Sequence, residues 1–172
     1  MIPEARRKRP EHHVVHDYTN LVSSWRLREP HHVAELMRIP TANGHAWHAF
    51  QMNCRKMFEF FKYKPDGRNA YLRAAHFIDG ELGYTFVHWN DKVQEFMNAH
   101  LLHVGMDRMD NEIINDGRND KQYFADFEGA WQTLMKSLKP QHREIFRDEI
   151  DFRLQDREFQ FCGTLGKEFI PL

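Results

Sequence analysis

TANGHAWHAFQMNCRKMFEFFKYKPDG, residues 41–67, is the stretch that decides the fold class. Trp47, Phe50, Cys54, Met57, Phe58 and Phe61 recur at three- and four-residue intervals. At about 100° per residue these side chains fall on one stripe of a helix. Thr41 stands where a helix cap belongs. Pro65, Asp66 and Gly67 supply the stop. The pattern predicts a helix from about Ala42 to Tyr63 with one apolar face to bury.

Toward the N-terminus, Tyr18, Leu21, Val22 and Trp25 repeat the same spacing, with Asp17 as the expected cap of a helix that starts there. Pro30 opens a short helical segment, PHHVAELMR, which Pro40 ends. Toward the C-terminus, GRNAYLRAAHFID (67–79) reads as a third helix that stops near Gly80 and Gly83. A long fourth helix is expected from about Thr85 to Met109, with Val93, Met97, Leu101 and Val104 as its stripe. Residues 111–120 read as a polar loop. A fifth helix is expected over 121–138, burying Phe124, Phe127, Trp131, Leu134, Met135 and Leu138. Pro140 opens a sixth, with Ile145, Phe146, Ile150 and Leu154 on its apolar side. Beyond it, REFQFCGTLGKEFIPL loses helical period, and the alternation of Phe159 and Phe161 suits an extended tail laid across the bundle. No hairpin signal, internal repeat or low-complexity tract interrupts this order. The predicted fold class is all-α: an irregular bundle of five or six helices, with a basic N-terminal arm over 1–16, a bundle domain over 17–160 and a C-terminal tail over 161–172. Trp47, Phe50, Met57, Phe61, Met97, Leu101, Phe127, Trp131 and Leu134 are expected to form one core.

A chain of 172 residues suffices for a single domain with its own core. Its 14 Phe and 4 Trp argue for aromatic packing and against global disorder. A formal charge of −1 provides no overall field to draw the chain to nucleic acid or an anionic membrane. No apolar run has the length of a membrane span. MIPEARRKRPEHH is basic without an apolar segment behind it, so it does not read as a secretory signal. Cys54 and Cys162 lie far apart and outside any CxxC pair, which suits two free thiols in a reducing cytoplasm. The run Arg6, Arg7, Lys8, Arg9 reads as a solvated tail, dispensable for folding and capable of only weak phosphate contacts.

The compositional oddity is 12 His. In FMNAHLLHVGMDRMD (96–110), His100, His103 and Asp107 share one flank of the fourth helix. Two imidazoles and a carboxylate at that spacing make a partial site for Zn²⁺ or Fe²⁺, to be completed from a facing helix. A His at a helix boundary is also served by one carbonyl or carboxylate, so packing is the preferred reading of the trio and no cofactor is expected. A second HxxH, His45 and His48, lies off the stripe of its helix. His76 and His88 are further candidates, and Asp91, one turn beyond His88, would orient it as a general base if a cleft adjoined. Cys54 sits in the apolar stripe and should be inert. The acidic run Asp107, Asp110, Glu112, Asp116 and Asp120 lacks the ligand register of a calcium loop and reads as solvated. No GxSxG, P-loop or GxGxxG occurs. The Arg and His of a HEPN-type RNA-cleaving helix are also missing: Arg26 to His31 and Arg38 to His45 cross prolines, and Arg68 to His76 is too wide.

The segments MNCRKMFEFF (52–61), VQEFMNAHLLHVGMDRMD (93–110) and YFADFEGAWQTLMKSL (123–138) together resemble a group of uncharacterised bacterial all-helical proteins. In that group an aromatic helix ends in a Phe-Phe pair and a later helix reads Asn-x-x-Leu-x-His-Leu. Here that element is Asn98, Ala99, His100, Leu101, Leu102, His103, Val104. The resemblance spans about residues 45–140. It implies the helical fold and carries no activity. The chain departs from it by adding His100 and a long C-terminal segment. The leading functional expectation is a non-catalytic helical module that binds a protein partner or a second copy of itself. A metal-binding bundle on His100, His103 and Asp107, or an RNA-acting helical domain, are the alternatives.

Overall fold

A computed structural model describes residues 4–28, 42–65, 71–102 and 119–155. The fold is all-helical. Among the described residues the helices are α1 (Glu4–Arg7), α2 (Pro10–Arg26), α3 (Ala42–Lys62), α4 (Asp91–Leu102), α5 (Asp120–Ser137) and α6 (Pro140–Gln155). A single 3-10 turn, Ala74–His76, lies between α3 and α4. No described helix is long and apolar enough to cross a membrane.

α2 and α3 form the central pair; α6 covers α2, and α5 packs on both α2 and α3. At the heart of the bundle Tyr18 of α2 lies flat on Trp131 of α5, with ring centroids 3.9 Å apart and planes 4° from parallel. Trp25 stacks on Phe124 and touches Phe50. Such ring pairs add about 0.5–1.5 kcal/mol each beyond the area they bury. The stripe of α3 is buried as its spacing predicts, through Phe50, Cys54, Met57, Phe58 and Phe61, and Met97, Phe127, Trp131 and Leu134 join the same core. Trp47, expected in the core, is only half-buried. The side chain of Leu101 lies outside the described residues.

Three boundaries differ from expectation. The first helix begins not at Asp17 but at Pro10, the favoured residue for an opening turn, after Arg9 in extended conformation. The segment expected as a flexible arm is therefore packed: Glu11, His12, Val14 and Val15 are buried. Of the third expected helix, residues 67–70 lie outside the described residues, and the described part holds only the 3-10 turn. The fourth starts at Asp91, since Asn90 caps it by accepting the N–H groups of Lys92 (3.1 Å) and Val93 (3.2 Å). Residues 77–90 between these elements form a folded loop. Gly80 (φ 84°) and Gly83 (φ 65°) supply its two left-handed turns, a conformation costly to any other residue. The expected helix over 30–38 and the tail over 161–172 lie outside the described residues.

A chain starting at Asp17 loses two buried valines, at about 1.5–3 kcal/mol each. It also strips Glu149 of its partners, which for a buried ion pair costs about 3–5 kcal/mol. The total approaches the whole stability of a domain, about 5–15 kcal/mol. Thermal unfolding of that truncation, followed by circular dichroism, is expected to lose its cooperative transition. An unchanged melting point would restore the segment to the status of a dispensable arm.

Candidate functional site

The loop from Phe77 to Asn90 borders a concavity, and buried polar groups hold the loop in place. At its start, Lys139 donates its backbone N–H to the Phe77 carbonyl at 2.9 Å, beside an isolated antiparallel bridge between Ile78 and Leu138. At its end, the buried carboxylate of Asp126 on α5 accepts the N–H groups of His88 (2.6 Å) and Trp89 (2.8 Å). Trp89 is fully buried, and its indole N–H donates to Gln94 at 2.9 Å. In the middle, Tyr84 lies across Gly129 so closely that a Cβ there would stand 2.5 Å from its hydroxyl oxygen. Burial first, and then the charge of Asp126, push the Tyr84 phenol up.

Between this loop and the end of α3 lies a cleft of about 660 Å³. Phe61, Tyr63, Leu82, Tyr84 and Phe86 give it apolar and aromatic walls. Phe86 is its bridge to the core, touching Phe58 and Phe127 with centroids 5.0 and 5.4 Å away. Lys62 and Lys64 stand on the rim. Lys62 pairs with Asp91 at 2.6 Å and Lys64 with Glu81 at 2.5 Å, both in solvent. The hydrogen bond between Lys64 and Glu81 raises the ammonium and lowers the carboxyl from their ordinary values.

A second, smaller concavity of about 280 Å³ includes His13, Asp17, Lys56, Phe60, Tyr71 and Arg73 in its lining. The two are joined by one cluster. The Arg73 guanidinium lies 5.7 Å from the ring centre of Tyr63 and 5.5 Å from that of Tyr71. Tyr63, Tyr71 and Val87 are the exposed large hydrophobic side chains among the described residues, at 43%, 66% and 66% exposure.

The residues singled out from sequence fare differently. His100 is placed by its backbone in the last turn of α4, but its side chain, and all of His103 and Asp107, lie outside the described residues. Among the described residues no three His, Cys, Asp or Glu side chains gather as a metal would need. His45 is exposed and His48 half-buried. His88 is exposed, and Asp91, its expected orienting partner, is held by Lys62. His76 accepts the backbone N–H of Arg73 at 2.9 Å through Nδ1. Cys54 is buried, and burial pushes its thiol well up, which keeps it unreactive. Asp120, expected in a solvated loop, is instead buried at the start of α5, where it accepts from Arg28 (3.0 Å) and Gln51 (3.1 Å). Arg6 and Arg9, expected in a solvated tail, are engaged with Asp148 and Glu149.

Two His–carboxylate pairs escaped the sequence analysis. Glu11 on α2 meets His142 Nδ1 on α6 at 2.6 Å, and the next residue, His12, meets Glu149 at 2.8 Å. Each helix thus supplies one acid and one imidazole. Glu149 is wholly buried and His12 nearly so, which leaves no room for a substrate at that pair. The arrangement is a clasp between helices. The repeated His in PEHHVVH was the only signal, and nothing local in the chain names its partners on α6.

No protein family, curated protein or solved structure matches the chain.

His16, one turn beyond His12 and stacked on it, shows the cost of this burial. Burial, and after it the charge of Arg153, push its imidazole below the ordinary 6.5; Asp17 opposes them, while His12 and Lys56 add to them. The fold therefore favours the neutral ring. Its contribution to stability is complete above about pH 6.5, the value in the unfolded chain, and is lost as pH falls from there toward the lower folded value. Urea midpoints measured across that window are expected to fall less steeply for His16→Gln than for the parent. Equal slopes would remove His16 as the group responsible. A separate expectation attaches to the loop: Asp126→Ala strips two charge-assisted hydrogen bonds, at about 1.5–3 kcal/mol each. Amide hydrogen exchange should then accelerate at His88 and Trp89 before it does in α3.

Proposed function

We propose that the chain is a non-catalytic helical module that binds a protein partner through the cleft between the end of α3 and the Phe77–Asn90 loop. The observation that carries this reading is the placement of exposed Tyr63 at the mouth of a braced, aromatic-lined cleft. Exposed large apolar groups beside a preformed concavity are the usual composition of a contact surface, and Tyr and Arg are prominent among anchoring residues. The bracing matters because a partner then bears little cost for ordering the loop. The chemistry of the lining favours binding over catalysis. Among the described residues its ionisable groups are the rim residues Lys62, Lys64 and Glu81 together with tyrosines.

A cleft of this size takes a few side chains, whereas a stable interface buries about 800 Å² per partner. The cleft is therefore the anchoring part of a larger contact. The blocked peptide acetyl-Phe-Gln-Phe-Gln-amide is a minimal probe for it. Titrated into the ¹⁵N-labelled full chain, it is expected to give saturable shifts at residues 61–64 and 82–87, with α6 unmoved. Gly129→Ala forces Tyr84 aside while favouring the helix that carries it, so helicity should persist and affinity should fall. Absence of saturable shifts would defeat the cleft reading. Concentration-dependent dimerisation that occludes the same residues would replace the partner with a second copy.

A further inference from the structure

We infer that the segment accepted by this cleft is acidic as well as aromatic, and that Arg73 is the residue that reads its carboxylate; the inference rests on the cleft reading above. Arg73 is set apart from the other cations nearby by what surrounds it. Its guanidinium lies against the rings of Tyr63 and Tyr71, and among the described residues no carboxylate pairs with it. The described acids that line the two concavities are already engaged: Asp17 by Lys56 at 3.7 Å, Glu59 by Arg55 at 3.2 Å, and Glu81 by Lys64.

An arginine drawn to aromatic rings and not to a carboxylate leaves its N–H fork unspent on an ion pair. Its backbone is also fixed, by the N–H donated to His76 and the 3-10 turn that follows. The group is thus a preorganised donor for a planar two-oxygen acceptor, the geometry in which arginine and carboxylate bind best. Tyr63 borders the larger cleft on one side and contacts Arg73 on the other. An aromatic side chain in the cleft and a neighbouring carboxylate on Arg73 can therefore belong to one short segment. The rim lysines are already neutralised, Lys62 by Asp91 and Lys64 by Glu81, which leaves the reading of charge to Arg73.

Three blocked peptides test the inference on the intact chain: acetyl-Phe-Glu-Phe-Glu-amide, its Gln counterpart, and acetyl-Ala-Glu-Ala-Glu-amide. The acidic aromatic peptide is expected to bind at least about tenfold more tightly than either of the others at low salt, as one charge-assisted contact allows. The gap should narrow as salt screens it. Arg73→Gln should bring the acidic aromatic peptide down to the affinity of the neutral one, while Arg73→Lys should retain only part of the difference. Equal binding of the Glu and Gln aromatic peptides would overturn the inference and leave the cleft reading standing. So would a gap that survives Arg73→Gln, which would transfer the charge selectivity to Lys62 and Lys64. Equal binding of the Ala-Glu and Phe-Glu peptides would separate the anion from the cleft and overturn the inference as well. Failure of both aromatic peptides to shift residues 61–64 and 82–87 would bring down the cleft reading and this inference with it.

Discussion

A carboxylate without access to water must be surrounded by donors, and Glu149 sets that demand at the junction of α1, α2 and α6. It is wholly buried, with His12 at 2.8 Å, Arg6 at 3.1 Å and Arg9 at 3.4 Å. Taking such a charge out of water costs several kcal/mol, about as much as a small domain has to spare, unless its oxygens are fully engaged. That requirement explains why residues 4–16 fold. A run of arginines and histidines gains little from burial of its own, but α6 presents an acid that can be tolerated only when they cover it. Arg6 completes the seal by lying 4.3 Å from the ring of Phe152 on the same helix.

Two further buried acids tie irregular segments to the bundle. Asp120 takes Arg28 and Gln51, and so ties the residues following α2 to α3 and to the start of α5. Asp126, two turns along α5, takes the backbone of His88 and Trp89. The aromatic core supplies most of the burial, but stacked rings fix separation better than they fix register. A carboxylate that must meet two named N–H groups fixes register. The cleft inherits its shape from this division: Phe86 is drawn inward by Phe58 and Phe127, while Asp126 determines where the chain turns back toward α4.

The helical class and the cores of α3, α5 and α6 were legible because their apolar residues repeat at helical spacing and prolines or glycines punctuate their ends. Where the pattern misled, polar residues were the cause. Glu11, His12 and Asp120 count as exposed by composition, and each is buried against a partner at least 69 positions away. Such pairing has no local signature. The segments 67–79 and 85–90 carry enough apolar residues for helices, yet Ala74, Phe77, Ile78 and Trp89 reach the core from a loop, because Gly80, Gly83 and Asn90 direct the backbone. The candidate site was the least legible part. Its elements come from the end of one helix and from a stretch expected to be two others, and the proximity of Arg73 to Tyr63 exists only after both have folded. His100, His103 and Asp107 are the residues whose chemistry stands out in the sequence, whereas the surface proposed for binding is built from Tyr, Phe and Arg.

Tyr18 and Trp131 show what the core tolerates for the sake of shape. Neither the Tyr18 hydroxyl nor the Trp131 indole N–H has a hydrogen-bond partner among the described residues. A buried polar group left so costs about 1–3 kcal/mol. Burial, reinforced by the nearby charge of Glu128, holds the Tyr18 phenol far above its ordinary range, so it remains neutral and the penalty is that of a dipole, not of an ion. Against it stand two large rings in full contact, each removing about 150–250 Å² from water, or about 4–6 kcal/mol at about 25 cal/mol per Å². The apolar gain exceeds the polar loss, so the stack holds α2 against α5 without any satisfied polar contact at its centre. The bundle's interior thus rests on area and its margins on charge. The cleft lies where the two regimes meet: apolar walls continuous with the core, and a rim whose cations are engaged only by exposed acids or by aromatic rings.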